Sequence, residues 1–193
     1  KTDASLYTEE HYFDLDILNV RACYPSSKRA TETLCKAYIE EYGADIVIAR
    51  PGHVYGPTMT PEDSRASAQF FRDVLDNKDI VMKSAGQQQR SYCYVMDCAT
   101  AMLTILVKGM CGEAYNISNR KSIVTIRQMA DTLAKVAGKQ IVFENPTDVE
   151  KRTYNLMDVS ALDATKLENL GWEGAYDMET GARATLEILQ LNF

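Results

Sequence analysis

Two stretches decide how this chain reads: Tyr24-Pro-Ser-Ser-Lys28, and Arg50-Pro-Gly-His-Val-Tyr-Gly-Pro57. In the first, a tyrosine and a lysine stand four residues apart at the start of a segment with helical spacing, so both side chains fall on one helix face about a turn apart. A free phenol has a pKa of about 10 and is a poor base at neutral pH. A nearby ammonium stabilises the phenolate and suits the pair to proton exchange with a hydroxyl. Eleven tyrosines in 193 residues make a chance Tyr-x-x-x-Lys spacing unremarkable, so the pair proves nothing by itself. The second stretch follows a short apolar, β-branched run at 45–49 and reads as a buried strand running into a loop.

Outward from these, helices and short strands alternate. Ala30, Leu34, Ala37, Tyr38 and Tyr42 recur at steps of three and four and predict a helix over 26–42 with that face inward, stopped at Gly43. Prolines and glycines make 51–61 a long loop. A helix over 64–76 follows, with Phe70, Phe71, Val74 and Leu75 inward, then strands at 79–83 and 90–95. Asp97 is expected to cap a third helix carrying Ala101, Met102, Ile105 and Leu106 and ending at Gly109. A strand at 114–117 precedes a helix capped by Thr125 and ended by Gly138. A strand at 141–143, a polar connection over 144–158, a short helix before Gly171 and a last helix capped by Asp177 complete the pattern. Such alternation means α/β.

Composition narrows the function classes. A hydrophobic content of 46%, charged content of 25% and net charge of −6 describe a folded, acidic domain. They argue against a generic nucleic-acid binder, while a few local arginines can still hold a small anion. The five cysteines lack Cys-x-x-Cys spacing, and neither His11 nor His53 stands at metal-ligand distance from them, so reduced, mostly buried thiols and no metal are expected. No apolar run approaches the ~18 residues of a membrane span, and a cytoplasmic protein is expected.

Further segments complete an ordered set: Gly86-Gln-Gln-Gln-Arg-Ser-Tyr-Cys-Tyr-Val-Met-Asp97, Tyr115-Asn-Ile-Ser118 and Asp163-Ala-Thr-Lys-Leu-Glu-Asn-Leu-Gly-Trp172. In this order the chain, from about Tyr12 onward, resembles the extended short-chain dehydrogenase/reductase family, the NAD-dependent epimerases and dehydratases of nucleotide-diphosphate sugars. The resemblance implies the C-terminal part of a Rossmann-type parallel sheet interleaved with a small α/β substrate-binding domain. Residues 1–54 and 96–119 would belong to the first unit, and 55–95 and 120–193 to the second. It gives Tyr24 the proton exchange with the sugar hydroxyl, and Lys28 a contact to the nicotinamide ribose as well. Pro51 and His53 would lie beside the nicotinamide and the sugar diphosphate. Arg90 would pair with the diphosphate, with Arg152 as a second clamp. It implies NAD, with NADP left open, and a homodimer through the helix at 26–42.

Two departures from the family pattern stand out. His53 occupies a position where the family usually carries Asn, so a substrate contact and a structural role both stay open. Ser26 stands where the similar UDP-glucuronate decarboxylases carry Glu, which favours an epimerase or dehydratase over a decarboxylase. The first glycine is Gly43, so no glycine-rich phosphate turn precedes Tyr24. The chain is therefore expected to be the C-terminal part of a longer enzyme. The competing expectation is a non-catalytic sugar-binding or dimer-forming piece with little affinity for NAD.

Overall fold

A computed structural model describes residues 6–12, 14–147 and 157–191. Its first long element, α1 (Cys23–Tyr42), starts with Pro25 in the opening turn, where backbone N–H groups have no helical acceptor to lose. It ends at Gly43, whose φ of 63° is left-handed and whose N–H donates to the Ile39 carbonyl. Next, β1 (Ile48–Pro51) pairs in parallel with β5 (Ala114–Ile117), Arg50 standing opposite Asn116. The strand lies about a turn of chain later than the apolar run suggested, because pairing with β5 sets its limits.

Residues 53–55 correct the sequence reading. They are not loop but a strand, β2 (His53–Tyr55), parallel to β4 (Gln89–Tyr94) with His53 opposite Tyr92. The chain passes from one sheet to the other at Gly52, whose N–H donates to the Ile117 carbonyl at 3.0 Å. A Cβ there would meet the Ser91 carbonyl oxygen at 2.7 Å, so no larger residue fits between the sheets. At its start β4 is flanked on opposite edges by β6 (Ile123–Thr125), antiparallel, and β8 (Val159–Ser160), parallel. A third, two-stranded sheet joins β3 (Ile80–Met82) to β7 (Ile141–Phe143).

Helices cover these sheets: α2 (Ala66–Leu75), α3 (Val95–Lys108), α4 (Ile126–Ala137), α5 (Thr165–Glu168) and α6 (Met178–Leu191). α4 opens on the expected Thr125, in a reciprocal capping box with Gln128. At α6 the Asp177 carboxylate accepts the Thr180 N–H at 2.8 Å. The mixed α/β architecture with parallel strand pairs agrees with the sequence reading. Two apolar clusters form. One gathers Tyr55, Phe70, Phe71, Ile80, Met82, Tyr92, Tyr94, Met129, Leu133 and Leu186. The other gathers Cys93, Cys98, Ala101, Ile105, Tyr115, Ile117, Leu167 and Trp172. Alternation along β4 sends Tyr92 and Tyr94 to the first and Cys93 to the second, so one strand serves both cores. Among the described residues no helix is long and apolar enough to cross a membrane.

Four further expectations are corrected. No residue of α1 is buried; Leu34 (57% exposed), Tyr38 and Tyr42 face outward, and the half-buried side is that of Glu32, Cys35 and Ile39. On α3, Met102 and Leu106 are exposed while Ala101 and Ile105 pack inward. All five cysteines are free, but only Cys93 and Cys98 are buried. Asp97, too, does not cap its helix. It sits in the first turn of α3, buried, and its carboxylate accepts the backbone N–H groups of Ala175 (2.9 Å) and Tyr176 (3.1 Å) and the Asn119 amide (3.0 Å). It thereby staples the 172–176 connection onto α3.

Removing that acceptor leaves buried donors unpaired. Asp97→Ala is expected to lower the unfolding free energy by about 2–3 kcal/mol, whereas Met102→Ala on the exposed side of α3 should stay within about 0.5 kcal/mol. Urea unfolding of the two variants checks both values.

Candidate active site

Tyr24 and Lys28 lie in the first two turns of α1. The Lys28 Nζ is 5.4 Å from the centroid of the Tyr24 ring, a cation–π contact, and Tyr24 is 71% exposed. The two side chains thus lie close together on an exposed side of α1. Ser27, between them, donates from its hydroxyl to the Tyr24 carbonyl at 2.8 Å.

The helix is tied to β1 by a two-pronged ion pair. Arg50 Nε and Nη2 donate to the Glu32 carboxylate oxygens at 2.8 and 2.6 Å, and Nη1 donates to the Glu9 carbonyl at 2.8 Å. The bond to Glu32 raises the guanidinium pKa above its ordinary value, against the opposing effect of burial.

Across Gly52, β2 carries His53 against β4. Burial pushes the imidazole pKa down to about 4, and the Arg90 and Arg65 guanidinium groups push in the same direction, while a hydrogen bond with the Ser91 backbone opposes them. His53 is neutral at neutral pH. Its Nδ1 is buried without a hydrogen-bond partner, and its ring centroid lies 5.8 Å from that of Tyr92.

Arg90 is 4% exposed and donates from Nη1 to the neighbouring Gln89 carbonyl at 2.8 Å. No carboxylate among the described residues pairs with it, and burial lowers its pKa. Asp158 acts on it only from a distance, and a buried guanidinium without a close carboxylate is costly. Arg65 adds a second cation that the sequence reading missed. Its guanidinium pairs with Asp63 and donates to the Val54 carbonyl at 2.8 Å, and its charge acts on both His53 and Tyr92. No spacing in the sequence marks it, because its relation to His53 exists only once the chain folds residue 65 back onto β2. Burial also pushes the Tyr92 phenol up to about 12, although Arg90 and Arg65 pull the other way.

Of the residues expected in the site, His53 and Arg90 are brought together by β2–β4 pairing, and Pro51 ends β1 one residue before the crossing. Tyr24 and Lys28 form their own pair, linked to β1 through Glu32 and Arg50. Arg152 lies outside the described residues. Among the described residues no group of three or more His, Cys, Asp or Glu is placed to hold a metal.

Comparison with known proteins places this arrangement. Residues 4–118 match the model of the NAD dependent epimerase/dehydratase family. The chain belongs to that family. Among curated relatives, the dTDP-D-glucose 4,6-dehydratase of Mus musculus is 32% identical over 173 residues, covering 88% of this chain and 48% of the relative. A UDP-glucuronic acid decarboxylase 1 of Xenopus tropicalis is 26% identical over 186 residues, 95% of this chain and 42% of its own length. The chain spans about half the length of the curated relatives it matches. The crystal structure of dTDP-glucose 4,6-dehydratase from Bacillus anthracis, in complex with NAD, superposes with a TM-score of 0.81 at 23% identity, covering 100% of this chain and 58% of the other. UDP-glucose 4-epimerase from Thermotoga maritima, with UDP-glucose, gives a TM-score of 0.76 at 28% identity, covering 88% and 53%. These neighbours confirm the Rossmann-type fold class.

The His53 environment has a measurable consequence. Its folded pKa is about 4 against an ordinary 6.5, so below pH 6.5 the unfolded chain binds a proton that the folded chain refuses. Stability is therefore lost as pH falls from 6.5 towards 4, by about 2 kcal/mol at pH 5. In His53→Gln this component should vanish. Urea unfolding of both proteins at pH 7 and pH 5 gives the comparison.

Proposed function

We propose that the protein carrying this chain is an NAD-dependent enzyme that oxidises a hydroxyl of a nucleotide-diphosphate sugar to a ketone, within an epimerase or dehydratase cycle. The observation that carries this reading is the exposed Tyr24 with the Lys28 ammonium over its ring. Lys28 stabilises the phenolate, and Tyr24 takes the proton from the substrate hydroxyl as the adjacent carbon gives up its hydride. NAD supplies the hydride acceptor when bound. Tyr24, Lys28, Pro51 and His53 are the residues of this chain that would hold it, and the exposed Tyr24 with Lys28 beside it fits a polar cofactor. NADP would make the same contacts with these residues.

Arg90 then takes the diphosphate, because a buried guanidinium without a carboxylate suits a bidentate anion. Arg65 reinforces the local positive potential, and neutral His53 offers hydrogen bonding without charge. Arg152 is the second diphosphate clamp in this proposal. The two apolar clusters support a division into a Rossmann-like unit (1–54, 96–119) and a substrate-binding unit (55–95, 120–193), with Cys93, Leu167 and Trp172 of the second packed onto the first. The outward Leu34, Tyr38 and Tyr42 support a homodimer through the helix at 26–42 in a cytoplasmic enzyme. Decarboxylation of a UDP-glucuronate-like substrate is the second reading. Similarity to UDP-glucuronic acid decarboxylase over 95% of the chain favours it, and Ser26 in place of a carboxylate weighs against it.

Incubation with NAD and a panel of UDP- and dTDP-hexoses, with products separated by mass and chromatography, tests the assignment. Conversion to an epimer or a 4-keto-deoxy sugar is expected; carbon dioxide release from UDP-glucuronate would select the second reading. No conversion and no NAD binding would leave a non-catalytic sugar-binding or dimer-forming piece. Tyr24→Phe should lower turnover by about 10²–10⁴-fold with an unchanged circular dichroism spectrum. Arg90→Lys should raise KM for the nucleotide sugar about tenfold or more, since an ammonium loses the planar fork.

A further inference from the structure

The way α1 is held has a direct bearing on Tyr24. Within this chain α1 has no buried residue, and apolar contacts by themselves tolerate sliding and rolling. The Arg50–Glu32 fork is different. Two parallel charge-assisted bonds, at 2.8 and 2.6 Å, define a direction as well as a distance. Glu32 stands one turn beyond Lys28, which stands one turn beyond Tyr24, so the three side chains form a stripe along one side of the helix. Anchoring the stripe at Glu32 sets the direction in which Tyr24 and Lys28 point.

Arg50 is itself well braced. Nη1 donates to the Glu9 carbonyl at 2.8 Å, and the Glu9 carboxylate accepts the backbone N–H of Asn116, the register partner of Arg50, at 2.7 Å. The Asn116 amide donates to the carbonyls of Tyr7 (2.9 Å) and Asp163 (3.1 Å). Residue 50 also directly precedes the Pro51–His53 stretch. The same residue therefore braces the helix from one side and leads the chain into the site from the other.

We propose that Arg50 and Glu32 are a positioning pair that holds the Tyr24–Lys28 side of α1 at a fixed orientation to the Pro51–His53 stretch. They act on proton transfer without touching substrate. This inference rests on the Tyr24 chemistry proposed above.

Three variants test it: Glu32→Gln, Arg50→Lys and the exchanged pair Glu32→Arg with Arg50→Glu, each checked for folding by circular dichroism and thermal unfolding. Both single variants should lower kcat about tenfold or more, since misplacement by about 1 Å can cost on the order of 10²-fold. KM for the sugar and for NAD should stay within about twofold. The exchanged pair rebuilds the fork in reverse and should recover kcat to within about threefold. Residual dipolar couplings of the full chain provide a readout free of substrate. Amides of 23–42 should change their orientation relative to those of 48–51 and 114–117 in the single variants, and return in the exchanged pair.

Wild-type couplings and kcat in both single variants overturn the positioning role. So does a loss of kcat that the folded exchanged pair leaves unrepaired while the couplings stay at wild-type values. If the wild-type protein turns over no nucleotide sugar, the proposed function fails, and the couplings alone still decide whether the pair orients α1.

Discussion

One close approach organises the molecule: the backbone at Gly52 lies so near the Ser91 carbonyl that a Cβ would sit 2.7 Å from it. At that point the chain leaves the β1–β5 sheet and enters the β2–β4 sheet. A larger residue would force the sheets apart and break the pairing of Gly52 with Ile117, of His53 with Tyr92, or both. With glycine the two sheets meet edge to edge. Pro51 then ends one while His53 begins the other, and the groups of the site come from both sides of a single residue.

Charge placement follows from this meeting of sheets. β4 runs through the middle and divides its side chains between two apolar clusters, so polar groups on it are sealed from water on both sides. Arg90 becomes a buried cation that donates to the Gln89 carbonyl, His53 is held neutral, and the Tyr92 phenol is held protonated. Under the proposed function these surroundings would favour an anion at the guanidinium, and burial keeps the imidazole neutral. Asp97 shows the opposite solution. It too is buried, but three N–H donors surround its carboxylate, and its charge is spent on fixing a connection rather than on a ligand.

Local signals were readable where they depend on neighbours in the chain. The Tyr24–Lys28 spacing, Gly43 as a helix stop, the Thr125–Gln128 box and Asp177 as a cap all involve residues within four positions of each other, and the structure contains each of them. The inward face of α1 was read wrongly because apolar periodicity reports which side avoids water, not which partner is present to cover it. Here the side facing the sheet carries Glu32, chosen by Arg50 eighteen residues away. Strand β2 reads as loop because Pro51, Gly52, Gly56 and Pro57 on either side of it are local breakers, while its strand character comes from pairing with β4 nearly forty positions on.

What the sequence determined by itself is the α/β class, the order of elements, the family and the Tyr24–Lys28 pair, since these depend on spacing along one chain. What only the tertiary structure decided is that Arg65 joins Arg90 and His53, that Arg90 lacks a carboxylate among the described residues, and that Arg50 grips α1. Each of these depends on burial and on pairing between distant strands, and the energy of a charge is set by what surrounds it in space.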